Sequence, residues 1–433
     1  HHPQASSPKD LECVDETLAA EPPRARLSRA RSTASSETLF TSAPPLIALD
    51  LTEDEIRQLF SADLRHEERD GEGRLLSFFH GRCSHVATRL KELQTLRPHG
   101  HLLRTGVRLT PEEVALTSTA WMNGVFHSMI TQGHVSLNRL TSTARTYLGL
   151  FRARGVRVFL QTHDGWRLLD APSAFEMAPE MCRWIYRCAE GVVEIRSAAH
   201  EAAHELTLEI EVLRGPPLRS LIVVHAALDG DDGDTAGCAV WRREGEGVCI
   251  RAPQGSLMHK RFPRGDFLLS PIEGASFEAL GGDELLFADA RARDLPYVCM
   301  VAAPARVTGL RIRGRLIADS DAGDAQARRG LPALRMQAPA RGVHAARLAR
   351  LSDIIPWFTH DALIHYLAPR GLEQFSGGGW GTRDVCQGPL ELLLAFGRRA
   401  EARDLILRVM SAQNPEGDWP QWFMFFERDR DIR

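Results

Sequence analysis

The sequence predicts an α+β multidomain protein: an N-terminal antiparallel β-sandwich, a helical linker, and then the start of an α/α toroid. Three observations carry that reading. Between Val156 and Val224 apolar and polar residues alternate in short runs, the period of half-buried strands. From Val343 onward the apolar spacing turns to three and four, the period of helices that bury one face. The composition suits folded domains, being 43% hydrophobic and 25% charged, with 53 basic against 56 acidic side chains and a net charge of −3. That balance argues against disordered, fibrous and nucleic-acid-binding classes, and 433 residues leave room for roughly two to four domains with cores of their own.

Taken in order, residues 1–45 are rich in Pro, Ser, Ala and Arg without apolar periodicity, which predicts a disordered leader. Residues 46–104 read as a helical N-terminal extension. Thr52 and Glu55 form a capping box ahead of Ile56, Leu59 and Phe60, and Thr110-Pro111-Glu112-Glu113 repeats the signal, each marking a helix start or a short helical turn. Residues 105–318 read as the sandwich: Val156 to Leu160, Val192 to Arg196, Leu206 to Val212 and Leu221 to Val224 are strand-like, and clusters such as Gly215-Pro216-Pro217 separate them. Residues 319–355 form a linker with a helix over Val343 to Leu351. Residues 356–433 begin the helical domain, with one helix over Phe358 to Leu367 and one or two more between Pro389 and Met410.

Eight cysteines are scattered without a CxxC pair, so no disulfide framework is expected and a reducing, cytoplasmic setting fits best. The longest apolar run, Leu221 to Leu228, contains His225 and is far short of the about 20 residues a membrane span needs. No membrane span and no signal peptide are expected, and the chain opens with His1-His2-Pro3.

Two metal motifs can be weighed on context. His200-Glu201-Ala202-Ala203-His204 fits HExxH, in which two histidines one helical turn apart grip zinc. The segment lies between strand-patterned runs, however, and Thr207 and Ile210 replace the residues of the extended motif, so a strand-connecting turn is expected. Asp229 to Asp234 is oxygen-rich enough for calcium, but the twelfth position counted from Asp229 is Val240 and the flanks are strands, which predicts a solvated hairpin loop. Gly377-Gly378-Gly379-Trp380-Gly381 follows a helix and matches no nucleotide-binding fingerprint. No metal and no cofactor are expected.

The most informative stretch runs through Trp357-Phe358-Thr359-His360-Asp361, then Gln374 to Gly388, then Asp418-Trp419-Pro420-Gln421-Trp422. Sugar hydroxyls bind Asp, Gln and Arg in charge-assisted pairs, a pyranose face stacks on Trp, and glycines admit a close backbone. The same residue types also suit a Trp/Phe core cluster beside an exposed Arg-Asp pair, and chemistry alone leaves both open.

These residues resemble the inverting glycoside phosphorylases of the cellobiose phosphorylase family, glycoside hydrolase family ninety-four. The likeness is closest to the branch acting on β-1,2-linked glucooligosaccharides. It rests on Trp357 to Gln421, including Thr359 to Tyr366 and Trp380-Gly381-Thr382-Arg383-Asp384. Two further blocks are Ala120 to Met129, continuing to Gln132-Gly133, and Pro172 to Met177 with Cys182 to Tyr186. The resemblance implies a supersandwich, a helical linker and an (α/α)6 barrel. It also implies that Arg383 and Asp384 hold the nonreducing-end glucose, with Trp380 and Gln421 lining the same pocket. Adjacent helical residues do not face one ligand, so Arg383 and Asp384 are expected on a loop.

The implied reaction is reversible phosphorolysis, in which phosphate attacks the anomeric carbon and gives α-glucose 1-phosphate with inversion. One protonated Asp then suffices as general acid, since phosphate needs no second carboxylate to activate it. By the resemblance, that acid and the phosphate-binding residues lie beyond Arg433, so no catalytic residue is expected within 1–433 and the barrel is expected to be cut off near its start. The expected partners are a β-glucooligosaccharide and inorganic phosphate as co-substrate, with no nucleic acid and with a homodimer left open. Two alternatives stand beside this: a non-catalytic carbohydrate-binding remnant, and the phosphorylase-like part of a cyclic β-1,2-glucan synthase.

Overall fold

The computed structural model describes residues 37–96, 98–106, 108–132, 140–141, 154–200, 203–228, 239–317, 341–342, 344–367 and 380–423. Two large antiparallel sheets dominate it. The first has eleven strands in the spatial order Arg65–Arg69, Leu75–His80, Ser84–Thr88, Ala174–Ala178, Met181–Cys188, Gly191–Ala199, Glu205–Arg214, Val307–Arg315, Asp266–Pro271, Gly247–Arg251 and Val240–Glu244. The second runs Ala279–Gly281, Tyr297–Ala305, Leu218–His225, Val156–Thr162, Val125–Gln132, Leu116–Trp121 and Gly100–Arg104, with Gly165–Leu168 pairing beside Val156–Thr162. Among the described residues the helices are α1 (Leu39–Ser42), α2 (Glu53–Leu59), α3 (Arg89–Gln94), α4 (Leu257–Arg261), α5 (Ala345–Leu367), α6 (Thr382–Ala395) and α7 (Arg399–Ser411).

Strand alternation builds the core as expected. Val156, Val158 and Leu160 from the second sheet and Leu206, Leu208 and Ile210 from the first belong to one buried core. Trp184 locks the two layers together. It is fully buried, its ring lies 4.9 Å from both Phe126 and Phe175, and its Nε1 donates to the Trp121 carbonyl at 3.1 Å. Two of the blocks noted above meet here, since Ala120 to Met129 forms a hairpin of the second sheet while Phe175 and Trp184 come from paired strands of the first. Gly124 turns that hairpin at φ 77°, where a Cβ would stand 2.3 Å from the Leu169 carbonyl oxygen, so only glycine fits.

Three boundaries differ from the sequence reading. The segment read as a helical extension, 46–104, contributes four strands, three to the first sheet and Gly100–Arg104 to the second. Its helices α2 and α3 are short, and the predicted capping box at Thr52 and Glu55 is present on α2. The helix signals there are real, but they start caps for a sheet: Ile56 packs with Leu75, Phe78 and Val86 on the outer face. Thr110 to Glu113 is likewise a turn, with Ala115 N–H bonded to Glu112 O at 3.2 Å before the strand at Leu116 takes over.

The leader assigned to 1–45 also ends sooner. Residues 1–36 lie outside the described residues, but from Glu37 the chain is packed, and Phe40 is 5% exposed against Phe159 at 5.2 Å. Phe159, Leu221 and Cys299 need that cover because their strands are apolar on both faces. Finally, the helices read at 343–351 and 358–367 are one 23-residue helix, α5, which passes through Pro356. Residues 318–340, most of the predicted linker, lie outside the described residues.

The outer face of the first sheet carries a ladder of ions. Glu176 and Arg183 are directly opposed in register, and the ladder continues through His80 on one side and Glu194 on the other. Burial works against the Glu176 carboxylate, but the His80 bond and the Arg183 charge outweigh it and hold its pKa below the usual value. Arg183 also donates to the last carbonyl of α2, Leu59 O, at 2.9 Å, which ties that helix to the sheet. No helix among the described residues is long and apolar enough to cross a membrane.

Candidate functional site

The residues singled out for sugar binding converge at the start of α6. Trp380–Gly381 pairs antiparallel with Trp422–Phe423, so the two aromatic-rich loops form a small ribbon. Thr382 fastens it: its amide donates to Gln421 O at 2.9 Å and its hydroxyl to Pro420 O at 2.6 Å. Phe423 anchors the other side in a cluster with Val385, Leu393, Leu405 and Val409, between α6 and α7. Thus Trp380, Arg383, Asp384 and Gln421, separated by up to 41 positions in the chain, share one end of the helix pair.

Arg383 and Asp384 are not on a loop, as the sequence reading expected. They are the second and third residues of α6, because Gly381 leaves the ribbon in extended geometry and Thr382 starts the helix at once. Arg383 is exposed there, as is Gln421. A cation at a helix N-terminus opposes the helix dipole, typically at a cost of about 0.3–1 kcal/mol, so this placement does not serve helix stability. It does leave an exposed guanidinium there, a group that offers donors to hydroxyl or anionic oxygens. Gln374 to Gly379 lies outside the described residues.

The flanking residues in the same stretch do other work. Trp357 Nε1 donates to Cys83 O at 2.8 Å, and His360 Nε2 donates to Leu102 O at 3.0 Å, so both turn toward the sandwich. Trp419 Nε1 donates to Val409 O at 2.9 Å near the C-terminal end of α7, and Asp418 accepts from Asn414 Nδ2 at 2.9 Å to close the turn after it. Sequence reasoning missed Thr382 as the fastener. Its ribbon is only two residues long on each side, too short for any period to show.

The HExxH segment joins strands: Gly191–Ala199 ends before it and Glu205–Arg214 begins after it. His204 Nδ1 lies 3.2 Å from Thr105 Oγ1, and its Nε2 lies 3.9 Å from Glu112. No group of three potential ligands gathers among the described residues. Asp229 to Asp234 lies outside them. Cys83, Cys182, Cys188, Cys249, Cys299 and Cys386 are all free thiols.

Comparison with known proteins bears on both halves. Among curated proteins, a 1,2-beta-oligoglucan phosphorylase of Listeria innocua serovar 6a is 29% identical over 371 residues, 83% of this chain and 33% of that protein. The chain thus spans about a third of the length of that relative. Among solved structures, a polysaccharide lyase superposes with TM-score 0.27 and 11% identity over 49% of this chain and 32% of its own. A 4-alpha-glucanotransferase from Thermococcus litoralis superposes with TM-score 0.24 and 9% identity over 51% and 39%. Neither superposition is close enough to argue from. The model of the glycoside phosphorylase supersandwich domain matches residues 63–305, from just before the first strand at Arg65 to the end of the strand Tyr297–Ala305, which is more than half of the chain. By that match, over the two sheets described above, the chain belongs to the family of the glycoside phosphorylase supersandwich domain.

Proposed function

We propose that this chain is the supersandwich-bearing portion of an inverting glycoside phosphorylase that cleaves β-1,2-linked glucooligosaccharides with inorganic phosphate. The observation that carries the reading is the convergence of Trp380, Arg383 and Gln421 at one ribbon, in a chain related to a 1,2-beta-oligoglucan phosphorylase. In this reading α5, α6 and α7 are the first helices of an (α/α)6 barrel. Arg383 and Asp384 hold the hydroxyls of the nonreducing-end glucose, and Trp380 and Gln421 line the same pocket.

The chemistry follows from charge. Phosphate is already anionic, so it attacks the anomeric carbon directly while a carboxylic acid protonates the departing glycosidic oxygen. A single displacement from the opposite face gives the α-anomer of glucose 1-phosphate. We assign the general acid to no residue of 1–433; this segment's part is to bind and orient the sugar. Orientation matters energetically, because holding reactants in line removes a large share of the entropic part of the activation barrier. The test is substitution of Arg383 by Ala in the protein that carries this chain, with glucose 1-phosphate release from β-1,2-glucotriose as readout. Turnover lost in a folded protein supports the assignment, and turnover retained at the unmodified rate defeats it.

A further inference from the structure

Helix α5 lays a polar stripe on the sandwich. Asp353, Trp357 and His360 follow one another at spacings of four and three, which puts them on one helix face. Each ends on a different piece of the β-structure. Asp353 Oδ2 accepts from Arg65 Nε at 3.1 Å and lies 2.9 Å from His66 Nε2. Trp357 reaches the Cys83 carbonyl at 2.8 Å, and His360 reaches the Leu102 carbonyl at 3.0 Å. A carbonyl only accepts, so the His360 proton sits on Nε2. The His360 ring stacks on His101 with centroids 5.0 Å apart, and Trp357 meets His101 edge-on at 5.1 Å.

The receiving strand is shaped for this contact. Its register with Leu75–His80 shifts on both sides of Glu68, and His66 adopts φ 53°, a conformation that a non-glycine residue rarely takes. Bulges of this kind re-aim side chains, and here the strained residue is one that reaches Asp353. Helix α5 also packs on α6, whose first turn carries Arg383 and follows directly on the Trp380–Phe423 ribbon.

We propose that Asp353, Trp357 and His360 are positioning residues for the ribbon site: the sandwich fixes α5, and α5 fixes where Arg383 stands relative to a bound sugar. The inference rests on the reading of the ribbon as a sugar site. It gives the supersandwich a function in recognition, because hydrogen-bonded recognition of hydroxyls tolerates little displacement of the groups that make it.

The experiment uses the protein that carries this chain and three variants. Trp357→Phe keeps a ring against His101 but removes the donor to Cys83 O. His360→Leu removes the donor to Leu102 O, and His360→Gln keeps one. Amide exchange at Thr382, whose N–H bonds Gln421 O, reports the ribbon, and calorimetric titration with β-1,2-glucotriose reports the site. With one hydrogen bond removed, Thr382 exchange should quicken about fivefold and affinity should fall about fivefold in Trp357→Phe and His360→Leu. His360→Gln should stay near the unmodified protein, and amides of the sandwich core such as Ile222 should be unaffected. If α5 amides exchange faster while Thr382 and affinity hold, the positioning role is wrong though the sugar site stands. If His360→Gln behaves as His360→Leu does, the hydrogen-bond assignment is wrong. If the unmodified protein that carries this chain does not bind the trisaccharide, the sugar reading falls and this inference with it.

Discussion

Acid should destabilise this protein well before its carboxylates are neutralised, because three buried histidines resist protonation in the folded state. Burial lowers the pKa of His127 to about 4 and of His225 to about 3. Burial, with a smaller contribution from the neighbouring His360, lowers that of His101 to about 3. Their relative exposures are 0%, 4% and 9%. In the unfolded chain each returns to about 6.5, so between pH 6.5 and pH 4 the unfolded state binds more protons and stability must rise with pH. The contribution is fully present above pH 6.5 and is lost as pH falls toward the folded values. At pH 5 each histidine forfeits about 2 kcal/mol, about 6 kcal/mol for the three, a large share of the about 5–15 kcal/mol of a typical domain.

Urea denaturation followed by tryptophan fluorescence at pH 7.5 and at pH 5 measures the difference. Glu194 works in the opposite sense, since burial raises its pKa, and for that reason a variant is the sharper control. His225→Phe should shrink the pH 7.5 to pH 5 loss by about 2 kcal/mol, because one titrating group is gone. Stability that is equal at the two pH values within about 1 kcal/mol, or a loss that the variant leaves unchanged, would refute the reasoning.

Other outcomes follow from packing and from the site. Trp184→Ala should cost about 3–5 kcal/mol, measured by chemical denaturation, because it empties the contact between Phe126 and Phe175 and removes a donor to the Trp121 carbonyl. Phe40→Ala should cost about 3 kcal/mol by the same assay, since Phe40 covers Phe159 on the outer face; a negligible cost would return residues 37–45 to the leader. Arg383→Ala should change unfolding free energy by less than about 1 kcal/mol, since the side chain is exposed at a helix start. The same substitution should weaken β-1,2-glucotriose binding at least about tenfold in titration calorimetry, as expected for losing a charge-assisted hydrogen bond.

Much of this was readable before any coordinates. The runs at Val192 and Leu206 show their period because each strand has one face against the opposite sheet, whereas the runs at Val156 and Leu221 are also covered on the outer face and show only as short apolar runs. The strands between Arg65 and Arg104 escaped because two things mask their period. Leu75 to Phe78 is buried on both faces, so its apolar residues do not alternate with polar ones, and Arg65 to Arg69 is a charged edge strand with a bulge. The cap at Thr52 then pointed to a helix that is real but only seven residues long. At the site, the residue types were legible and the geometry was not. Nothing local to Trp380 and Trp422 says that they pair, and Trp357 and His360 look as fit for a sugar as for the carbonyls of Cys83 and Leu102 that they bind.

The most direct test of the account is the product formed when the protein that carries this chain meets β-1,2-glucotriose and inorganic phosphate, followed by proton and phosphorus NMR. The account predicts α-glucose 1-phosphate with the disaccharide released alongside it, and no product when phosphate is omitted. Free glucose appearing without a sugar phosphate, or the β-anomer as the first product, would contradict it.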